Sequence, residues 1–307
     1  MAGTIEIKRK IKSIKSTKQI TRAMELVSAS KMKKAVASVT SMRPYAVNAL
    51  VVLTHLAEKS SENNSHPLFE KRPMKNCLIV LMASDGGLCG GFNATMFRKV
   101  TLFEKEFKEQ NPNCNLMYIA VGKKAEDFLA RSKKNLIATY NGITNNPRLN
   151  DILALNKLIF DYYKKGDADA VYLAYQHFFS PILQKPTMHQ LLPFSRENMI
   201  EMGRSLNLFK HLDIDLEQAK DTEYKLEPSP RFILDNLLPG LIELQIFHAV
   251  LESTASEHSA RMVAMRNATD NANEIIDSLT LIFNQKRQAN ITREIAEISA
   301  GKVALGL

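Results

Sequence analysis

A glycine-rich loop at positions 84–93, SDGGLCGGFN, follows a strongly apolar stretch. Its glycines are Gly86, Gly87, Gly90 and Gly91, and they flank Cys89. Such a loop between a strand and a helix can cradle a phosphate, because backbone N–H groups converge there and a helix N-terminus favours an anion. A cysteine at this place could serve as a nucleophile if a base activated it. The first question is therefore whether the loop is an active site.

The spacing of the loop residues does not fit the known phosphate motifs. A P-loop requires Lys and then Ser or Thr after its last glycine, whereas Phe92 and Asn93 follow Gly91. The glycines also lack the G-x-G-x-x-G spacing of dinucleotide-binding loops. Binding of a simple anion at the helix N-terminus stays open.

The alternative interpretation of the loop is structural. Glycine permits positive φ and close backbone approach, which a tight crossing requires. Asn93 is predicted to cap the next helix, and Cys89 is then a packed thiol. We favour this interpretation, in which the structural loop consists of Gly87, Cys89, Gly90, Gly91 and Asn93.

Strands alternate with helices in the middle of the chain. Strands are predicted at 75–84, 115–122, 168–180 and 185–194, and helices at 93–108, 123–132 and 150–164. This order is typical of a Rossmann-like α/β domain with a mainly parallel sheet. The last two strands are joined by a short turn around Pro181, which predicts an antiparallel pair at one edge.

The two ends of the chain predict long helices. Positions 5–59 contain no Gly and one Pro, Pro44, and positions 241–300 contain neither residue type. Apolar residues recur at helical steps in both segments, and in the first they are Ile7, Ile11, Ile14, Met24, Val27, Ala35, Val39 and Met42. A narrow stripe over so long a helix needs a partner along its length. We therefore expect the two ends to form a long antiparallel coiled coil, although the stripes could also pack on other chains.

Capping and helix-breaking residues set the expected boundaries of the helices and domains. Ser229 and Pro230 suit the N-cap and first position of the C-terminal helix, and Pro239 with Gly240 predicts a kink or interruption. The expected organisation is an N-terminal coiled-coil helix at 1–60, an α/β domain at 74–205, a linker at 206–228 and a C-terminal coiled-coil helix at 229–307.

Charge is concentrated at the N-terminus. Positions 1–60 hold twelve Lys and Arg against three Glu, which equals the formal net charge of +9 for all 307 residues. This basic segment suits an acidic partner or a solvated helix face. Positions 1–44 contain no aromatic side chain for base stacking, which disfavours nucleic acid. The three cysteines show no metal-binding spacing, and their odd number suits a reducing cytoplasm.

Several motifs together carry a family resemblance. They are IKRKIKSIKSTKQITRAMELVSASKMKKA, SDGGLCGGFN, EPSP with LLP, ASEHSARMVAMRNATDNANEII and NQKRQANITREIAEISAG, in this order. In this series the chain resembles the gamma subunit of F-type ATP synthase, the central rotor shaft. The resemblance implies a coiled coil inside a ring of alpha and beta subunits, and an α/β domain beside the epsilon subunit and the membrane rotor ring. It implies no catalytic residue, no cofactor, no direct small-molecule substrate and no nucleic acid.

The resemblance also implies contact residues. Arg287 and Gln288 match the family's catch pair, which hydrogen-bonds an acidic loop of an open beta subunit. Met24 matches a position near the acidic lever segment of beta. Lys31, Lys33 and Lys34 would complement that acidity, unless they form a plain solvated face.

The chain departs from the family pattern at three positions. Gly86 stands where Arg is usual, Gly240 replaces the Arg of LLPRY, and Lys302 stands where small apolar residues are usual. The missing cysteine pair excludes the light-regulated chloroplast form, and the start of the chain suggests a bacterial protein. We expect a peripheral location on the cytoplasmic face of the bacterial membrane. The alternatives are the shaft of a specialised, duplicated rotary ATPase, an enzyme built on the glycine loop and Cys89, and a basic nucleic-acid adaptor.

Overall fold

The computed structural model describes residues 2–59, 68, 70, 72–145, 147–194 and 230–304. The helices are α1 (Ala2–Lys59), α2 (Phe92–Gln110), α3 (Lys123–Arg131), α4 (Leu149–Lys165) and α5 (Pro230–Ala304). The strands are β1 (Asn76–Met82), β2 (Asn115–Val121), β3 (Asn135–Tyr140), β4 (Ala170–Phe178) and β5 (Gln184–Leu192). The predicted linker at 206–228 lies outside the described residues, and the predicted domain boundaries stay a prediction.

The chain divides into two compact units. One consists of residues 1–29 and 261–307, and the other of residues 30–260. Both long helices contribute to both units, because α1 and α5 each continue across a unit boundary. The expected fold class, terminal helices with an α/β domain inserted between them, is confirmed.

The second unit contains a five-stranded sheet in the order β3-β2-β1-β4-β5. The first four strands pair in parallel, and β5 pairs antiparallel with β4 at one edge. The mainly parallel sheet and its antiparallel edge pair are therefore as predicted. The central strand β1 is buried along nearly its full length, which suits its uninterrupted apolar sequence.

Helices cover both faces of this sheet. Ile152 and Ile159 of α4 and Ile242 of α5 pack in the core on one face. Met96 of α2 and Leu129 of α3 pack on the other. A parallel sheet buries both faces in this way, because its crossover connections carry the helices.

Pro239 and Gly240 do not interrupt α5, so of the expected kink or interruption the interruption is wrong. Leu238, Leu241 and Ile242 are buried on both sides of the proline. Their apolar packing offsets the hydrogen bond that the proline removes from the helix. Pro230 is the first residue of the helix, as its position in the sequence predicts.

The first unit pairs the two chain ends. The hydroxyls of Thr21 and Thr269 are 2.8 Å apart, and both side chains are buried. Ser28 is also buried, whereas Val27, which the apolar stripe predicted to face inward, is 56% exposed. The stripe prediction was wrong at Val27, because a small hydroxyl side chain instead of an apolar one occupies the inner helix face.

No helix within the described ranges is both long enough and apolar enough to cross a lipid bilayer.

Tyr172 of β4 gives a test of the packing around the sheet. The centroid of its ring lies 5.0 Å from that of Phe103, and its hydroxyl donates to Gln190 Oε1 at 3.2 Å. Burial raises the pKa of Tyr172 to about 12, with smaller contributions from Cys77 and Cys114. A folded-state pKa above the unfolded value gives stability that is complete below about pH 10 and is lost as the pH rises toward 12. We expect Tyr172→Phe to make the fall in unfolding free energy between these pH values shallower, as urea unfolding at each pH would measure.

Tyr140→Phe is the control for this experiment. Burial also raises the pKa of Tyr140, but less than that of Tyr172, and no neighbouring thiol adds to the shift. Tyr140→Phe should therefore change the slope of unfolding free energy against pH less than Tyr172→Phe does. Identical slopes for Tyr172→Phe and the native chain would contradict the prediction.

Candidate functional site

The glycine loop leaves β1 at the carboxyl edge of the sheet and enters α2. Leu88 and Gly90 adopt left-handed backbone conformations, with φ of 62° and 57°. A side chain at position 90 would be strained in this conformation, which accounts for one of the glycines. By contrast, a Cβ on Gly87 would meet nothing within 4 Å, and one on Gly91 would meet only Thr95 Cγ2, at 3.9 Å. Close backbone approach therefore does not explain Gly87 or Gly91.

Asn93 ties the loop to the end of β1. Its Oδ1 accepts a hydrogen bond from the Ser84 backbone N–H at 3.1 Å, and its Nδ2 donates to Ser84 Oγ at 2.7 Å. The helix begins at Phe92, its N-cap residue is Gly91, and no side chain caps it. The prediction that Asn93 caps the helix was wrong, because the side chain turns back to the strand.

Cys89 is buried beneath this network. Its Sγ lies 3.4 Å from Asn93 Nδ2 and 3.7 Å from Ser84 Oγ, and the residue is 3% exposed. Neither neighbour is a base that could take a proton from the thiol. The surroundings of Cys89 are those of a packed structural thiol.

Asp85 joins the start of the glycine loop to the neighbouring helix α3 and to the loop after β3. One carboxylate oxygen accepts from the N–H groups of Lys123 and Gly142, both at 3.1 Å, and the other accepts from the Thr144 hydroxyl at 2.8 Å. Lys123 is the first residue of α3, so this carboxylate already satisfies a free N–H at a helix N-terminus. A phosphate there would face a carboxylate. The Asp85 side chain therefore connects the loops that follow β1, β2 and β3 at this edge of the sheet.

Across the described ranges, no group of three or more His, Cys, Asp or Glu side chains is placed to hold a metal ion.

The candidate contact residues of α1 lie on its surface. Lys31, Lys33 and Lys34 are exposed and belong to the second unit. Met24 belongs to the first unit and is half-buried. The lysines are therefore available to a partner, and Met24 is available in part.

Arg287 and Gln288 lie on a part of α5 that this chain leaves uncovered. Both are exposed, as are all residues from 291 to 300. This segment presents large apolar side chains to solvent, namely Ile291, Ile295 and Ile298. A single helix with such side chains exposed is marginal in water, so another chain is expected to cover it.

Comparison with known proteins identifies the family. The family model described as ATP synthase matches residues 3–305. The ATP synthase gamma chain of Heliobacterium modesticaldum is 42% identical over 311 aligned positions, covering 100% of both chains. That of Acidithiobacillus ferrooxidans is 40% identical and covers 99% of this chain and 100% of its own.

The chain belongs to the ATP synthase gamma chain family.

Solved structures of the family match the fold. A chain of the central stalk and c-ring of Tetrahymena thermophila mitochondrial ATP synthase has a TM-score of 0.57 and 26% identity, covering 81% of this chain and 99% of its own. A chain of the Euglena gracilis mitochondrial ATP synthase OSCP/F1/c-ring assembly has a TM-score of 0.63 at 18% identity, covering 99% and 95%. The second match supports the fold alone.

Three features of this gamma-family fold were missed from the sequence. They are the Asp85 bridge, the contact of Gly122 with Ala83, and a buried pair between His177 and Glu252. The partners in each are 38 to 75 positions apart in sequence. For Asp85 a signal was present, because a carboxylate directly after a buried strand lies where loops converge at the sheet edge.

Proposed function

We propose that this chain is the torque-transmitting shaft of a rotary ATP synthase and that it carries out no catalytic step itself. The observation that carries the proposal is the C-terminal part of α5, where a helix with exposed isoleucines extends without cover from its own chain. A ring of other subunits would bury this surface. Differences in contact around that ring would then couple rotation to the states of its members.

The proposed partners are the alpha and beta subunits, the epsilon subunit and the membrane rotor ring. The similar Tetrahymena chain comes from a central stalk with its c-ring, and the similar Euglena chain comes from an assembly of OSCP, F1 and the c-ring. The exposed Lys31, Lys33 and Lys34 suit an acidic surface on such a partner. Arg287 and Gln288 can donate several hydrogen bonds to an acidic loop, because the guanidinium carries a planar set of donors.

The non-catalytic part of the proposal rests on the glycine loop. Its polar groups are already engaged with one another, since Ser84 bonds Asn93 and Asp85 bonds the neighbouring loops. An enzyme built on Cys89 would need the thiol accessible, whereas it is buried. We infer that catalysis takes place on the ring and that the shaft controls its timing.

We place the assembled complex at the cytoplasmic face of a bacterial membrane, with this chain held there through its partners. A specialised, duplicated rotary ATPase is not favoured, because the curated relatives are ATP synthase gamma chains over their full length.

Reconstitution with and without this chain tests the proposed function. Alpha and beta subunits would be combined with the full chain, and a bead on its α/β domain would report rotation. We expect ATP-dependent rotation in one direction and a several-fold change in ATP hydrolysis when the chain is present. Unchanged hydrolysis together with a stationary bead would contradict the proposal.

A nucleotide-binding measurement on the isolated chain is the complementary experiment. Because the glycine loop lacks the Lys and the Ser or Thr that a phosphate motif requires, we expect no binding of ATP at millimolar concentration. Stoichiometric binding would instead favour an enzyme built on the glycine loop.

A further inference from the structure

A short segment of α5, residues 252–259 with the sequence ESTASEHS, is polar and yet fully buried in the second unit. Glu252 is 4% exposed and Ser256 is 0% exposed. Polar groups are costly to bury unless they are hydrogen-bonded. The segment must therefore have specific partners, and four of its side chains bond to the sheet edge. We call these side chains the polar seam: Glu252, Thr254, Ser256 and Ser259.

The strongest contact of the polar seam is a buried ionisable pair. Glu252 Oε2 lies 2.6 Å from Nδ1 of His177 on β4, and its Oε1 lies 3.6 Å from Nε2 of His248 one helical turn earlier. The ring of Phe179 packs edge-on against His177, with the centroids 4.4 Å apart. The carboxyl group thus bonds an imidazole from the sheet, and the His248 imidazole of its own helix lies just beyond hydrogen-bonding distance of its other oxygen.

Three hydroxyls bond the backbone of the sheet and its loops. Thr254 Oγ1 donates to Thr144 O at 3.2 Å, Ser256 Oγ to Gln176 O at 3.1 Å, and Ser259 Oγ to Pro181 O at 2.5 Å. Gln184 of β5 also donates to Ser259 Oγ, at 3.4 Å. The acceptors belong to three separate stretches: the loop after β3, the strand β4 and the β4–β5 turn.

The polar seam differs physically from the neighbouring part of the same helix. Residues 238–250 pack on the sheet through apolar side chains such as Ile242, Ile246 and Val250. Apolar contact opposes separation but is not directional, so it resists sliding and twisting weakly. Hydrogen bonds depend on distance and angle, and a displaced seam would leave buried polar groups without partners. Resistance to twist is therefore concentrated at 252–259.

We infer that the polar seam is the joint through which torque passes between the α/β domain and α5. The inference rests on the proposed shaft function. The seam ends at Ser259, and the helix continues without a break past Arg261, where the other unit begins. Glu252, His177 and Ser256 are positioning residues: they hold the helix at a fixed angle to the sheet and take no part in catalysis on the ring.

The test compares the torsional stiffness of two double variants in the assembled complex. Glu252→Gln with Ser256→Ala weakens the seam. Glu274→Gln with Ser278→Ala makes the same two changes, four residues apart, at exposed positions of the same helix. Lys105→Cys on the exposed face of α2 would carry the bead, because the three native cysteines are buried and do not compete for labelling. With the ring fixed to glass, the angular variance of the bead during a catalytic pause measures stiffness.

We expect the seam variant to show about a two-fold larger angular variance than the native complex, and the exposed control to match the native value. ATP hydrolysis should be similar in all three, because the ring contacts are unchanged. A role confined to stability would lower the melting temperature of the seam variant and leave the variance unchanged, and this result would overturn the inference. If the Glu252→Gln, Ser256→Ala variant does not assemble, the angular variance of the bead is compared between the single variants Ser256→Ala and Ser278→Ala.

The native complex separates the two proposals. If the native bead does not rotate with ATP, the shaft function itself fails. If it rotates and the seam variant has the native variance, only the inference about the seam fails.

Discussion

Replacing Gly122 with Ala is expected to lower the unfolding free energy of the chain by about 3 kcal/mol. Gly122 lies between β2 and α3 with φ of 94°, and an added Cβ would sit 2.1 Å from the carbonyl oxygen of Ala83. The backbone cannot easily shift, because the Ala83 N–H bonds Val121 O at 2.9 Å and the Gly122 N–H bonds Tyr140 O at 2.8 Å. Urea unfolding of the full chain, followed by far-ultraviolet circular dichroism, would measure the loss.

Gly166→Ala is the control for a positive φ without a collision. Gly166 ends α4 with φ of 80°, and a Cβ there would meet nothing within 4 Å. Its substitution should cost only the left-handed strain, about 1 kcal/mol. The difference between the two variants then reports the collision with Ala83 together with the less tolerant backbone conformation of Gly122, whose ψ is 144° against 13° for Gly166. Equal losses would show that β1 and β2 do not approach each other as described.

Most of the α/β domain could be predicted because its pattern is local. Strands β1, β2 and β4 are apolar runs bounded by polar or turn residues, and each was predicted to within about two residues. The antiparallel edge pair followed from the shortness of the connection at Pro181. Strand β3 was missed because Asn135–Tyr140 is short and only half-buried, so it lacks a strong apolar signal.

The terminal helices show a different limit of prediction from sequence. Helix length followed from the missing Gly and Pro, but the inner face was misplaced at Val27 because Ser28 and Thr21 are the buried residues there. Hydrophobicity alone cannot place small hydroxyl residues in an interface. Their burial depends on hydrogen bonds to the helix or to the partner, as between Thr21 and Thr269.

The structural interpretation of the glycine loop stays a prediction, and one detail of it, the capping role of Asn93, was wrong. The spacing of the loop residues argued against a phosphate motif, and the structure adds a contact of Asp85 with the N–H groups of Lys123 and Gly142, at the start of the neighbouring helix α3 and in the loop after β3. That contact joins positions far apart in sequence, which no local pattern can reveal. Asn93 was assigned to a cap because its type suits one, whereas bonds to Ser84 hold it elsewhere.

The same limit applies to the surface that partners would contact. The exposure of Arg287 and Gln288 is a property of this chain, but their role depends on groups that other chains would supply. The resemblance to the family assigned them to an acidic loop of the beta subunit. That assignment stays a prediction, and substitution of the pair tests it.

Replacing both Arg287 and Gln288 with Ala is expected to shorten the lifetime of the chain in its complex at least about ten-fold. Hydrogen bonds to charged groups contribute about 1.5–3 kcal/mol each, and the two side chains supply several donors to one acidic loop. Stall torque in ATP-driven rotation should fall as well, because the grip of the ring on the shaft weakens. Dissociation of labelled chain from the immobilised ring gives the lifetime, and rotation of a bead against viscous load gives the torque.

Arg266→Ala with Asn267→Ala is the matched control, since it removes an adjacent basic and amide pair from exposed positions of the same helix. Alanine favours helix, so both double variants should keep the helicity of the native chain. If only the 287–288 variant shortens the lifetime of the chain in its complex, this pair is what holds the chain in the ring. An equal loss of lifetime in both variants would show that the positive charge of α5 matters in general and that this pair has no specific role. A fall in helicity of the 287–288 variant that matched its loss of lifetime would show a folding role instead.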